Sequence, residues 1–325
     1  MSKKEITLSD GARKVLDCGN MVPGENVLIV TDTAQPLSIA QALYRAAAEA
    51  GACPLLVTME PVPPAGDLPH VVNEAMKAAD YIIAPTSKSI FHSVGMHVAH
   101  TPPYNARGVA LSECTEDMLA NGGILADFAA VRPDVYRVGE YFQKGKKIVL
   151  TTPGGTHLEA NIEGRDAYNN TGMADQPGML EGLPTIEVYI APLEAEANGV
   201  LVIDASCSGG IGVIEEPIVI TIRDGKAVSF EGGKQAGDLE KIFSRLNDPK
   251  AFQLAEIAVG MNPNARITGC INEDEGKYGT CHCAIGSNAG FGGINEVPVH
   301  IDMVQWKPTL EIDGEVIFKD GVLVV

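Results

Sequence analysis

Two apolar strands separated by a helix constrain this chain more than any other feature. Asn26-Val27-Leu28-Ile29-Val30-Thr31 is a buried-type strand, residues 38–50 are rich in Ala, Leu and Gln with a helical period, and Pro54–Thr58 is the next strand. A strand–helix–strand run of this length makes a parallel pair with a right-handed crossover. The alternation continues with a helix at 69–78, a strand at 81–84 and a helical stretch near 89–98. A strand at 108–111, a helix at 115–120 and a strand at 147–150 complete it. Residues 1–150 therefore read as an open, mostly parallel α/β domain. The turn Thr31–Pro36 contains no Gly-x-Gly-x-x-Gly, so a dinucleotide fingerprint is absent.

From residue 151 the texture changes. Strand-like runs such as 199–204 and 218–222 dominate, Asp224-Gly225 and Asp313-Gly314 mark hairpin turns, and one helix is expected at 235–247. Residues 151–325 read as a β-rich α+β domain. The fold class expected is thus α/β, with an N-terminal open parallel domain followed by a β-rich α+β domain, for which metal binding is expected from the residues it carries.

The chemistry lies in that second domain. His300-Ile301-Asp302-Met303 sits in an apolar run, and a strand puts residues i and i+2 on one face, so His300 and Asp302 project together. An imidazole beside a carboxylate on a rigid strand is two thirds of a common divalent-metal site. His282 lies in a second such run. Glu187 and Glu256 lie in strand-like stretches where a carboxylate is costly to bury unless it is paired or ligates a metal. Cys281 and Cys283 flank His282 and should face away from it as packing residues. The Gly-rich segment 286–293 has no helix after it and reads as a flexible loop bordering the site. His92, His97 and His100 cluster in the first domain, either as a polar surface loop or as groups that reach a substrate.

Composition narrows the partners. With 24 Lys and Arg against 42 Asp and Glu, the net charge of −18 offers no footprint for nucleic acid or anionic membranes. No signal-like leader and no long apolar span is visible, so a cytoplasmic protein is expected. Seven cysteines without framework spacing fit reduced thiols. A small-molecule or short-peptide substrate and a homo-oligomeric state are expected.

An ordered set of segments resembles the thermophilic metallo-aminopeptidase family of the aminopeptidase T and S type. These are Leu183-Pro184-Thr185-Ile186-Glu187-Val188 with Ala191-Pro192, Asn198–Asp204, Ala255–Pro263, Glu273–Gly286 and His300-Ile301-Asp302 before a terminal Asp-Gly hairpin. The resemblance covers about residues 10–325. It implies a metal-dependent hydrolase with Glu187, Glu256, His282, His300 and Asp302 as ligands to two zinc, cobalt or manganese ions. Glu256 would serve as general base, with His92 as a second catalytic candidate. Three departures stand out: no tyrosine near Ala289, a short segment between His282 and His300, and Ile186 where the family has Gly. The family also has a divergent branch resembling 2,5-dihydroxypyridine ring-opening dioxygenases, which hold one iron(II) with two His and one Asp. The triad here would be His300, Asp302 and either His282 or Glu256.

Overall fold

A computed structural model describes residues 7–63, 67–91 and 93–325. They fall into two compact units, one within Met1–Ala130 plus Asn170–Thr185, the other Val131–Asn169 plus Ile186–Val325.

In the first unit the chain runs α1 (Leu8–Cys18), β1 (Asn26–Asp32), α2 (Leu37–Glu49), β2 (Cys53–Met59), α3 (His70–Lys77), β3 (Tyr81–Ala84), α4 (Val94–His100), β4 (Arg107–Ala110) and α5 (Glu116–Ala120). This is the expected alternation. The helical period is real: α2 buries Ile39, Ala40, Leu43, Ala46 and Ala47, one apolar stripe. β1 and β3 are buried along nearly their whole length, as strands covered on both faces must be.

From the first unit, α6 (Phe128–Lys144) leads into β5 (Lys147–Thr151), β6 (His157–Asn161) and β7 (Ala167–Asn170), and the chain then returns for β8 (Leu180–Gly182). The parallel sheet has the order β2-β1-β3-β4-β8. The division therefore differs from a single boundary at 150. The strand at 147–150 closes no parallel sheet; β5 pairs antiparallel with β6 in the second unit. The missing parallel edge comes instead from β8, only three residues long and too short to show a period.

The second unit continues with β9 (Glu187–Ile190), β10 (Ala197–Ile203), β11 (Ser206–Cys207), β12 (Gly212–Val213), β13 (Ile218–Arg223), β14 (Lys226–Glu231), α7 (Lys234–Ser244), β15 (Leu254–Gly260), α8 (Ile271–Asp274), β16 (Thr280–Gly286), β17 (His300–Trp306), β18 (Thr309–Ile312), β19 (Glu315–Lys319) and β20 (Val322–Leu323). Among the described residues these form two sheets, β14-β13-β10-β6-β5-β18-β19-β20 and β12-β11-β17-β16-β15-β9-β7. Both expected hairpins form. Asp224 and Gly225 have φ of 48° and 72°, and Asp313 and Gly314 have φ of 52° and 87°, the left-handed pair that a tight two-residue turn requires. No described helix is long and apolar enough to cross a membrane.

The second of these sheets is two-faced. Its back carries Cys281, Cys283, Ile301, Met303 and Gln305, all buried. The Thr156 hydroxyl beside β6 donates to the Gln305 amide oxygen and accepts from Val202 N at 2.8 Å. The front carries the candidate ligands.

Candidate metal centre

Strand register builds the site. β15 pairs with β9 and β16, and β16 pairs with β17, all antiparallel. Ala284 lies between Glu256 and Asp302 across the sheet, Ala258 lies between Tyr189 and His282, and Gly260 faces Glu187. The alternation of β-strand side chains therefore puts Glu187, Glu256, His282, His300 and Asp302 on one face. All five expected ligands converge. The small residues between them leave the room that the carboxylates and imidazoles occupy.

The distances are short. His282 Nε2 is 3.3 Å from Glu256 Oε1 and 3.5 Å from Glu187 Oε2, and His300 Nε2 is 3.3 Å from Glu256 Oε2 and 3.0 Å from Asp302 Oδ1. Two ligand atoms each about 2.1 Å from one ion at a right angle lie about 3 Å apart. The donor spacing thus suits a divalent cation. Three groups of donor atoms are close enough to share one: Glu187–Glu256–His282, Glu256–His300–Asp302 and Glu275–His282–Asp302. Glu256 is the hinge, since one of its oxygens faces His282 and the other His300.

The tautomer of His300 points the same way. Its Nδ1 lies 2.7 Å from the Ser287 carbonyl, which can only accept, so Nδ1 carries the proton. In the neutral ring Nε2 then offers a lone pair to two carboxylates. That contact is repulsive unless a cation stands between them, and a histidine fixed from behind by a carbonyl is the usual arrangement of a metal ligand. His282 Nδ1 is buried with no hydrogen-bond partner among the described residues.

Protons take the cation's part in the metal-free cluster. Burial pushes Glu256 up, but hydrogen bonds from His282 and His300 outweigh it and lower its pKa to about 2. Burial pushes both imidazoles down, yet Glu256 raises His282, and Asp302 with Glu256 raises His300 well above the ordinary range. Metal ligation needs neutral imidazoles, so cation binding must expel these protons. Affinity for Mn(II) is expected to rise with pH from about 6 to 8, with proton release visible by titration calorimetry in buffers of different ionisation heat. An affinity flat across that range would contradict it.

Glu275 is a sixth member of the cluster, one that no strand periodicity marks. Burial, and then the charges of Glu187 and Asp302, push its carboxyl well above the usual range. It follows α8, whose Asp274 accepts from Thr268 N at 2.7 Å and Gly269 N at 2.8 Å. A Cβ at Gly260 would stand 2.3 Å from the Lys277 carbonyl and 2.7 Å from that of Glu275, so only glycine lets this segment lie on β15. The acidic run Glu273-Asp274-Glu275 was the available signal.

Other expectations fare differently. Cys281 and Cys283 are free, buried and on the opposite face from His282, as the alternation requires. His92 lies outside the described residues. His97 is exposed on α4, but His100 is buried, with Nδ1 2.6 Å from the Ala106 carbonyl, and burial lowers its pKa. His100 is thus a packed helix residue, not part of a polar surface loop. The Gly-rich segment is not loose either. Asn288 and Asn295 close it through Asn295 N to Asn288 Oδ1 at 2.8 Å and Asn295 Nδ2 to Gly286 O at 2.7 Å. Where the peptidase pattern has a tyrosine near 289, this loop presents Phe291, edge-on to His300 with ring centres 5.7 Å apart. Phe291 also meets Tyr189 at 5.6 Å, and Tyr189 stacks on Tyr168 at 5.2 Å.

Comparison with known proteins separates the two branches. The 2,5-dihydroxypyridine 5,6-dioxygenase family matches residues 7–325. A curated 2,5-dihydroxypyridine 5,6-dioxygenase from Pseudomonas putida KT2440 is 24% identical over 196 residues, 56% of this chain and 55% of the relative. The match thus spans about half of that relative's length. The solved 2,5-dihydroxypyridine dioxygenase of Pseudomonas putida KT2440 superposes with a TM-score of 0.82 at 19% identity, covering 98% of this chain and 97% of the other. Wild-type AmpT from Thermus thermophilus superposes with a TM-score of 0.71 at 16% identity, covering 98% and 99%. Both superpositions concern the fold. The hydrolase reading finds its counterpart only in the second of them, whereas the dioxygenase branch is matched by family, curated relative and fold. The chain belongs to the 2,5-dihydroxypyridine 5,6-dioxygenase family.

Proposed function

We propose that this protein is an iron(II)-dependent ring-opening dioxygenase acting on a hydroxylated pyridine-type substrate. The observation that carries the reading is the contact between the Glu256–His300–Asp302 donor group and the ring cluster of Phe291, Tyr189 and Tyr168, on a chain of a dioxygenase family. A planar aromatic substrate needs both a cation and an apolar ring surface, and here they adjoin. His300 and Asp302 hold the ion, with Glu256 or His282 as third ligand. The ion, when bound, supplies the electron transfer through which dioxygen reacts with an aromatic ring. Tyr189 and Phe291 orient the ring and keep water away from it. Glu275, whose oxygen lies within reach of His282 and Asp302 donor atoms, adds a further carboxyl to the same cluster. The balance is simple: both oxygen atoms enter the product, one ring bond breaks, and no external reductant is consumed.

The test is oxygen uptake by anaerobically prepared, Fe(II)-loaded protein given 2,5-dihydroxypyridine. Uptake equal to substrate lost, with loss of the aromatic absorbance, is expected. Release of amino acids from dipeptides or aminoacyl anilides without oxygen would overturn the proposal.

One observation favours a second reading. Glu256 presents one oxygen to His282 and the other to His300, the disposition of a carboxylate bridging two ions. Under that reading the protein is a two-metal hydrolase on a short peptide or amide, with zinc, cobalt or manganese. Two ions per chain and oxygen-independent turnover would support it.

A further inference from the structure

The loop between β16 and β17 supplies two groups to the site, the Ser287 carbonyl on His300 Nδ1 and the Phe291 ring at its edge. Ser287 stands one residue past β16, where its N donates to the Val299 carbonyl at 2.7 Å, and Phe291 lies outside strand pairing altogether. The direction of the Ser287 carbonyl and the place of the Phe291 ring depend also on what holds the rest of the loop.

Two nearly buried charges hold it. Arg165, from the turn between β6 and β7, is 10% exposed, and Glu194, just past β9, is 19% exposed. They form an ion pair, and Arg165 also donates to the Gly292 carbonyl. Glu194 Oε1 accepts from Ile294 N at 2.7 Å and from Asn288 Nδ2 at 3.2 Å. Asn288 in turn accepts from Asn295 N and receives the close approach of Gly293, where a Cβ would stand 1.9 Å from the Asn288 side chain. The pair therefore grips the loop on both sides of Phe291.

We infer that Arg165 and Glu194 are positioning residues for His300. They act through the loop to keep the Ser287 carbonyl on Nδ1, so that Nε2 is the nitrogen offered to a cation. A pair this far from solvent is costly unless it is hydrogen-bonded. Apart from the bond within the pair, the three side-chain bonds named all end on the loop, two on its backbone and one on the Asn288 side chain, while Arg165 Nε has no partner among the described residues. Without the grip, the loop can leave His300. The imidazole then exchanges between tautomers and rotamers, and a cation must pay for ordering it. Outer partners of metal-bound histidines contribute about 10–100-fold in affinity. The inference rests on the metal reading of His300 and not on which reaction the centre performs.

The experiment measures Mn(II) affinity of metal-free protein by electron paramagnetic resonance. In parallel, the His300 Nδ1–H resonance is followed in zinc-loaded, 15N-histidine-labelled protein and assigned by its loss in His300→Ala. Glu194→Ala is expected to bind Mn(II) about 10–100-fold more weakly and to lose that resonance to solvent exchange. Glu194→Gln keeps an acceptor for Ile294 N and should retain most of the affinity and the resonance. A merely structural role would lower the melting temperature without moving the resonance. If Glu194→Ala does not fold, Arg165→Met, which frees the Gly292 carbonyl, takes its place with the same expectation. Wild-type affinity and an unchanged resonance in the variant would overturn the clamp while the metal reading stands. Absence of Mn(II) binding by the wild-type protein would overturn the metal reading and the clamp with it.

Discussion

His300→Ala is expected to lose its cation and its activity while remaining folded. His300 is the imidazole with the most contacts of the kind a ligand needs: Asp302 at 3.0 Å, Glu256 at 3.3 Å and a carbonyl behind Nδ1. Its strand neighbours Ile301 and Met303 are buried on the other face and supply the packing. Deleting the ring leaves that back-face packing in place, because His300 projects from the front of the sheet. Cation affinity at this group should fall by more than the roughly 100-fold that loss of an outer partner costs, and turnover should fall to background. The circular dichroism spectrum should not change. Asp302→Asn should be comparably inactive, since a neutral amide is a poor ligand for a hard cation. Metal-replete His300→Ala protein with wild-type turnover would show that the ring does no chemistry.

Glu256→Gln carries the second large effect, because Glu256 belongs to two of the three donor groups. The amide keeps the shape of the side chain but offers one oxygen instead of two, and no charge. Both imidazoles then lose a shared partner, so affinity should drop by more than about 100-fold, beyond the range of outer-shell changes. The metal-free protein should also change its stability with pH, and the sign follows from the shifts. Glu256 has a lowered pKa, so its contribution is present above the ordinary glutamate value of about 4.3 and is lost as pH falls toward about 2. His282 and His300 have raised values, so their contribution is present below about 6.5 and is lost as pH rises through the folded-state values. The three groups support one another best near pH 5–6. There Glu256→Gln should unfold at lower denaturant than the wild type, and by pH 9 the gap should narrow. A gap that widens from pH 6 to 9 would mean that the imidazoles are not the partners of Glu256.

Most of the centre was legible because it lies on regular strands. Period-two alternation placed His300 with Asp302 and turned Cys281 and Cys283 away from His282, and the same rule made Glu187 and Glu256 conspicuous among apolar neighbours. What escaped was carried by irregular backbone. Glu275 follows a four-residue helix seated on Gly260, and no periodicity announces a close approach of main chain to main chain. The Gly-rich 286–293 segment reads as flexible because no helix follows it, yet Asn288, Asn295, Arg165 and Glu194 tie it down through hydrogen bonds spanning up to 127 positions. The unit boundary escaped for a related reason. β5 reads like another parallel strand, and one of its two antiparallel partners, β18, lies near the far end of the chain. The balance between hydrolase and dioxygenase escaped because both chemistries use carboxylates and imidazoles, and the ring cluster beside His300 is assembled from three separate segments.

The proposed iron reaction requires the front of this sheet to be a divalent-metal centre built on His300 and Asp302. Anomalous diffraction at the iron edge, from crystals grown without oxygen and supplied with Fe(II), tests it most directly. An iron peak is expected within bonding distance of His300 Nε2 and Asp302 Oδ1, with Glu256 or His282 as a third ligand. No peak there, or iron held only by residues away from the β15–β16–β17 face, would contradict it.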